Sequence, residues 1–148
     1  MVKNIILYIF IYVLCISCSD IIGSIEDTCD YCKLELSIDE LDVNDNNYYQ
    51  LHFNQNYYQT FTKITAYIGY EDEYVGWTSN KYFVTEVHGY EEYVNVVNGA
   101  SYTTDDGYAY TMLGVYEENV GDTIIVYCGY YDEYGFQHLD SLGVIVYE

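Results

Sequence analysis

The chain has 148 residues, with 4 Lys+Arg against 24 Asp+Glu, a formal net charge of -20 and no Pro. Such a polyanion offers no positive footprint for a phosphate backbone or an anionic lipid surface, so nucleic acid is excluded as a partner. Hydrophobic residues make up 51% and aromatics 19%, including 22 Tyr, which is too apolar for an acidic disordered tail and suits one folded domain.

The chain opens like an export signal. Lys3 supplies the only side-chain cation of the first stretch, Ile5 to Ile16 carry no charge, and small Ser17 and Cys18 follow. Twelve apolar residues at ~1.5 Å rise span roughly 18 Å, well under the ~30 Å hydrocarbon core, so the run makes a poor permanent span. Residues 1–17 are therefore expected to be a signal peptide. The stretch Leu14-Cys15-Ile16-Ser17-Cys18-Ser19-Asp20 resembles a bacterial lipoprotein junction. Lipoprotein signals prefer an aliphatic residue where Cys15 stands, but the Ser-Cys-Ser-Asp junction is similar to those of Bacteroidetes lipoproteins. The resemblance implies lipidation of Cys18 and display of an exported domain at the outer membrane or cell surface. An ordinary soluble secreted chain and an uncleaved anchor are the alternatives.

Residues 18–33 are polar and unpatterned, and are expected to be the tether of that lipid anchor. Within them Cys29-Asp30-Tyr31-Cys32 has C-x-x-C spacing. Neighbouring Glu26, Asp27 and Asp30 would raise a thiol pKa, which disfavours a redox pair, and no second pair supplies a zinc site. A local Cys29–Cys32 disulfide or two idle thiols are the expected states, with pairing to Cys128 left open.

Residues 34–59 mix strand signals (Leu34, Leu36, Ile38, then Tyr49, Leu51, Phe53) around a turn-rich gap, and read as N-terminal strands or an extension. Asp39-Glu40-Leu41 has the composition of a short helical turn. Residues 60–148 read as β throughout. Strands are predicted at 61–69, 74–78, 81–88, 93–97, 108–117, 122–130 and 141–147, separated by Gly, Asn and Asp turns. In 108–116, Ala109, Thr111, Leu113 and Val115 share one face, with Tyr108, Tyr110, Met112 and Tyr116 on the other. Ile124, Val126 and Cys128 repeat that period, as do Leu142, Val144 and Val146. The fold class expected is all-β, an antiparallel sandwich or barrel. Many outer faces carry Tyr, which packs flat on a pleat while its hydroxyl reaches water.

Residues 100–126 hold Thr104, Asp105, Gly107 and Ala109, then Gly121, Thr123 and Val126. This resembles bacterial Ig-like domains of the invasin and intimin type, with one residue fewer between Asp and Gly. Val75-Gly76-Trp77-Thr78-Ser79 looks like the strand C segment of such domains with its core tryptophan. The resemblance covers roughly residues 60–148 and implies an Ig-like β-sandwich. It places Cys128 where a strand F cysteine could stand. The facing positions near Thr65 to Tyr67 hold no cysteine, so Cys128 is expected to be a buried thiol acting as a small hydrophobe.

No catalytic site is expected. His52, His88 and His138 show no ligand spacing, and no Gly-x-Ser-x-Gly elbow or phosphate loop occurs. Acidic pairs recur at Glu71/Asp72/Glu73, Glu91/Glu92, Asp105/Asp106, Glu117/Glu118 and Asp132/Glu133; they are expected to be solvated turns, although loops 71–73 and 132–133 could share a calcium ion if they meet. No metal site or cofactor is assigned. Tyr130, Tyr131, Tyr134 and Phe136 crowd one hairpin and are the candidate ligand-binding residues, with Tyr48, Tyr49, Tyr57 and Tyr58 a second aromatic region. Asp122-Thr123-Ile124 and Asp140-Ser141-Leu142 resemble a short Bacteroidetes O-glycosylation signal. The expected role is non-catalytic: structural or adhesive display or protein–protein interaction, or else a carbohydrate-binding module using exposed tyrosines. Its partners are a membrane through Cys18 and a protein or glycan ligand.

Overall fold

The computed structural model describes residues 34–87 and 90–148, with backbone alone over 84–87 and 90–92. The expected signal peptide, Cys18, the tether and the Cys29/Cys32 pair lie outside the described residues, as does His88. Ten strands follow in order: β1 (Glu35–Ser37), β2 (Tyr49–His52), β3 (Thr60–Tyr67), β4 (Tyr74–Ser79), β5 (Tyr82–Val87), β6 (Tyr90–Asn95), β7 (Ala100–Tyr102), β8 (Tyr108–Val115), β9 (Thr123–Tyr131) and β10 (Gln137–Tyr147). Among the described residues, helix is limited to a 3-10 turn at Glu117–Asn119, so no helix there is long and apolar enough to cross a membrane.

Two sheets make the sandwich. One has the order β1-β3-β8, the other β2-β10-β9-β4-β7, and β5-β6 form a separate hairpin. β3 pairs with β8, and β9 lies between β4 and β10. That is the strand pairing of an immunoglobulin-type sandwich, in which B pairs with E and F lies between C and G.

Period-two hydrophobicity explains why these segments pair as they do. Ile64, Ala66, Ala109, Leu113 and Val115 turn inward from the first sheet, and Val75, Trp77, Ile124, Val126 and Val144 from the second. Each is buried to 4% exposure or less. A one-residue slip of any of these strands would send its apolar set to solvent. Burial of each aliphatic side chain contributes about 1.5–3 kcal/mol, so the two inner faces are the main stabilising term.

Residues 34–59 carry β1 and β2. β1 pairs with β3 and β2 with β10, so they close one edge of each sheet, and Ile38, Leu51 and Phe53 enter the core. The β2–β10 pair is parallel, with Val144 opposite Tyr49 and Tyr147 opposite His52, while the other strand pairs of the two sheets are antiparallel, as expected. The crossover from β1 to the other sheet brings the chain alongside β10 in the same direction. Residues 39–41 form a turn closed by a 3.5 Å bond from the Leu41 N–H to the Ile38 carbonyl.

The Thr104-to-Ala109 stretch makes the turn into β8. The Gly107 N–H donates to the Thr104 carbonyl, and the Thr104 N–H to the Tyr108 carbonyl. Gly107 has φ +77°, and a Cβ there would meet the Cα of Gly69 at 2.6 Å. The Ile68 and Gly69 N–H groups both donate to the Gly107 carbonyl, so this glycine pair lets the ends of β3 and β8 approach.

Cys128 is a free, buried thiol directly opposite Trp77 in the β4–β9 pair, as expected. Desolvation, and secondarily the charge of Asp140, push its pKa up to about 12. The neutral thiol is therefore favoured by folding. Its contribution is complete below the ordinary thiol value of 9.0 and is lost as pH rises toward about 12. Wild type should accordingly lose more stability than Cys128→Ala in urea melts run from pH 9 upward. Native Cys128 should also resist thiol labelling that proceeds quickly in denaturant.

Candidate functional site

The outer face of the five-stranded sheet is built from the alternate residues that the core does not take. β4 presents Tyr74, Gly76 and Thr78 outward, β9 presents Tyr127, Gly129 and Tyr131, and β10 presents Gln137 and Leu139. Register sorts them into rows. Ala100 stands opposite Gly76, Gly76 opposite Gly129, and Gly129 opposite Leu139. One row toward the strand ends, Tyr102 faces Tyr74 and Tyr131 faces Gln137; one row the other way, Tyr127 faces Thr78. Ala100, Gly76 and Gly129 thus make a low strip between two rows containing tyrosine, closed at one end by the Leu139 side chain that lies over Gly129, and a shallow groove of about 330 Å³ follows it. Tyr74 and Tyr102 meet edge to face at 5.4 Å and 72°, an arrangement aromatic quadrupoles favour. Tyr131 is 62% and Tyr74 56% exposed, so the wall stands in solvent.

The structure divides the four expected ligand residues. Tyr131 lines the groove, while exposed Tyr134 and Phe136 stand on the β9–β10 turn beside it. Tyr130 is corrected: it points inward, is 2% exposed and belongs to the core. Strand alternation requires this, because neighbours on one strand cannot share a face. Its ring stacks on His138 at 4.8 Å, and its hydroxyl is buried without a hydrogen-bond partner. Burial first, then the charges of Asp132, Tyr70 and Glu73, raise its pKa. Tyr57 and Tyr58 lie far along the chain from this hairpin and line a separate cleft with Phe53 and Tyr116. Tyr48 lies against Gly143 of β10, and Tyr49 packs on the core.

Asp132 shapes the turn that carries the exposed rings. One carboxylate oxygen accepts the N–H of Tyr134 at 3.0 Å and of Phe136 at 2.8 Å, and the other lies 2.9 Å from His138 Nε2. The His138 bond, with the two backbone N–H groups, holds the Asp132 carboxyl below the usual carboxylate range. His138 is thereby held between Asp132 and the face of Tyr130, a positioning role for the hairpin.

The acidic loops do gather. β4 and β9 are antiparallel, with Val75 opposite Tyr130, which puts loops 71–73 and 132–133 at one end of the sheet. Thr103 ties in the loop before β8: its N–H donates to the Glu73 carbonyl, and its hydroxyl accepts the Glu73 N–H at 2.7 Å. Among the described residues, no group of three or more His, Cys, Asp or Glu side chains converges to hold a metal ion. Glu91 and Glu92 fall where only backbone is described.

Because the Asp132 pKa is depressed by folding, its stabilisation is present above the ordinary carboxylate range and is lost as pH falls through the folded value. The Tyr134 and Phe136 amides should exchange faster as pH drops below about 4 than the pH dependence of intrinsic exchange accounts for. At neutral pH, Asp132→Ala should speed exchange of those two amides about 5- to 10-fold, with the β9 core amides unchanged.

No protein-family model matches the sequence, and no curated protein matches it. A crystal structure of a DUF4466 family protein from Parabacteroides merdae ATCC 43184 is similar over 75% of this chain, at 14% identity and a TM-score of 0.40. The chain spans 42% of that protein's length.

Proposed function

We propose that this is a non-catalytic, exported and lipid-anchored domain that presents a binding face outside the cell. The observation that carries the reading is the outer face of the five-stranded sheet. Tyrosines there stand in solvent on rigid strands, where a core role would have buried them and a merely solvated face would carry charge. The likeness of residues 100–126 to invasin-type and intimin-type Ig-like domains favours the same reading, since their Thr-Asp-Gly-Ala stretch here makes the turn into β8. Rigid presentation gives affinity without ordering cost, because the strands fix the rings before a partner arrives.

The leader of residues 1–17 and the junction at Cys18 supply the export and anchoring part. The mature protein should fractionate with membranes and be shaved by protease from intact cells. Cys18→Ala should move it to the soluble exported fraction. A wild-type protein found in the cytosol with Met1 retained would overturn the assignment.

The glycine-floored groove favours a second reading, a carbohydrate-binding module. Aromatic rings beside a flat floor fit the apolar face of a pyranose, and Gln137 and the tyrosine hydroxyls could bond its hydroxyl groups. On this reading a glycan array gives hits that Tyr131→Ala weakens at least 10-fold; an array without hits removes it.

A further inference from the structure

We propose that the groove across the outer face of the five-stranded sheet binds a cationic polypeptide segment, whose Lys or Arg side chains lie on the tyrosine wall. The proposal rests on the display reading and names the chemistry of the partner.

At Gly76 the space is kept open where packing does not demand glycine; at Gly129 a Cβ would meet Leu139 Cδ2 at 2.6 Å, so the Leu139 side chain covers that end of the floor. A Cβ on Gly76 would come no nearer than 3.7 Å to the Gly129 carbonyl oxygen, which is ordinary contact, and no positive φ requires glycine there. Glycine inside a strand weakens it, and is used at bulges, at tight bends and where something approaches the backbone closely. The open floor crosses β7, β4 and β9, and Leu139 of β10 closes its far end. Two inter-strand gaps of ~4.8 Å give about 10 Å, enough for roughly three residues of extended chain at ~3.3 Å each.

Charge selects the occupant. Just beyond Tyr74, Tyr102 and Tyr131 lie Glu71, Asp72, Glu73, Asp132 and Glu133, drawn together by the pairing of β4 with β9. The two lysines among the described residues are elsewhere. Lys81 pairs with Asp122 at 2.7 Å near the opposite end, and Lys63 is on the first sheet. A tyrosine face attracts cations, and the molecule already uses that pairing where Lys63 Nζ lies 4.8 Å from the ring centre of Tyr110. A second copy, also at -20, would meet this border with like charge, and a neutral ligand would gain nothing from it. A Lys- or Arg-bearing segment satisfies the rings and the carboxylates together.

A polyanion attracts any polycation weakly, so the test separates the groove from bulk charge. The full-length protein in non-ionic detergent is titrated by calorimetry with an acetylated, amidated octapeptide alternating Arg and Gly. A citrulline–Gly octapeptide and maltohexaose are the neutral comparisons. The proposal expects binding of the Arg peptide, at least 10-fold weaker binding of the citrulline peptide, and loss of affinity as salt rises from 50 to 500 mM. Gly76→Val leaves the charge unchanged and fills the floor, and should weaken the Arg peptide at least 10-fold. Tyr131→Ala, at an exposed position, should weaken it about 5-fold and guards against misfolding of the first variant. Equal affinity of wild type and both variants would overturn the proposal, leaving only general charge attraction. Maltohexaose binding lost in Gly76→Val, without peptide binding, would overturn it in favour of the carbohydrate reading. Absence of binding by every probe would overturn the cationic occupant while leaving the display reading to the fractionation of the Cys18 variant.

Discussion

Two inner faces pressed together govern everything else in this chain. Ile64, Leu113 and Val115 from one sheet meet Val75, Ile124, Val126 and Val144 from the other, all fully buried. Because side chains alternate on a strand, committing one face to this contact releases the other. A chain with so many tyrosines and acids then places rings on the outer strand faces and carboxylates on the turns. The groove between Tyr74 and Tyr127 and the acidic border at its end are both consequences of that division.

Much of the fold could be read from the sequence because the core strands obey a simple period. β3, β4, β8 and β9 all stand within a few residues of where alternation puts them, and Trp77 and Cys128 are buried in the core. The parts that could not be read have physical reasons. β10 begins at Gln137, not 141, because its first four residues invert the pattern: Leu139 faces solvent, while His138 and Asp140 face inward. β7 is three residues of Ala-Ser-Tyr, too short to show a period, and it is fixed by pairing with β4. The segment expected as one strand at 93–97 ends at Asn95, where β6 has paired with β5 as a hairpin apart from both sheets.

The candidate site was half legible. Tyr131, Tyr134 and Phe136 are exposed together, as their crowding on one hairpin suggested. Tyr130 was drawn in only by adjacency, although alternation alone assigns it the opposite face from Tyr131. The glycine row was out of reach, because Gly76 and Gly129 are neighbours only through the β4–β9 register, and no linear pattern joins residues 53 positions apart. The same limit hid the partnership of Asp132 and His138, which folds the hairpin back on itself.

The side-by-side alignment of β2 and β10 bears on how the domain responds to tension. The pair runs in one direction, from Val144 opposite Tyr49 to Tyr147 opposite His52. A force that draws the amino-terminal side of β2 one way and the carboxyl-terminal side of β10 the other slides the two strands past each other. Their hydrogen bonds then bear the load in parallel and break as a set, whereas a hairpin peeled from its open end yields one bond at a time. An attachment loaded along its chain would be held by a shear clamp.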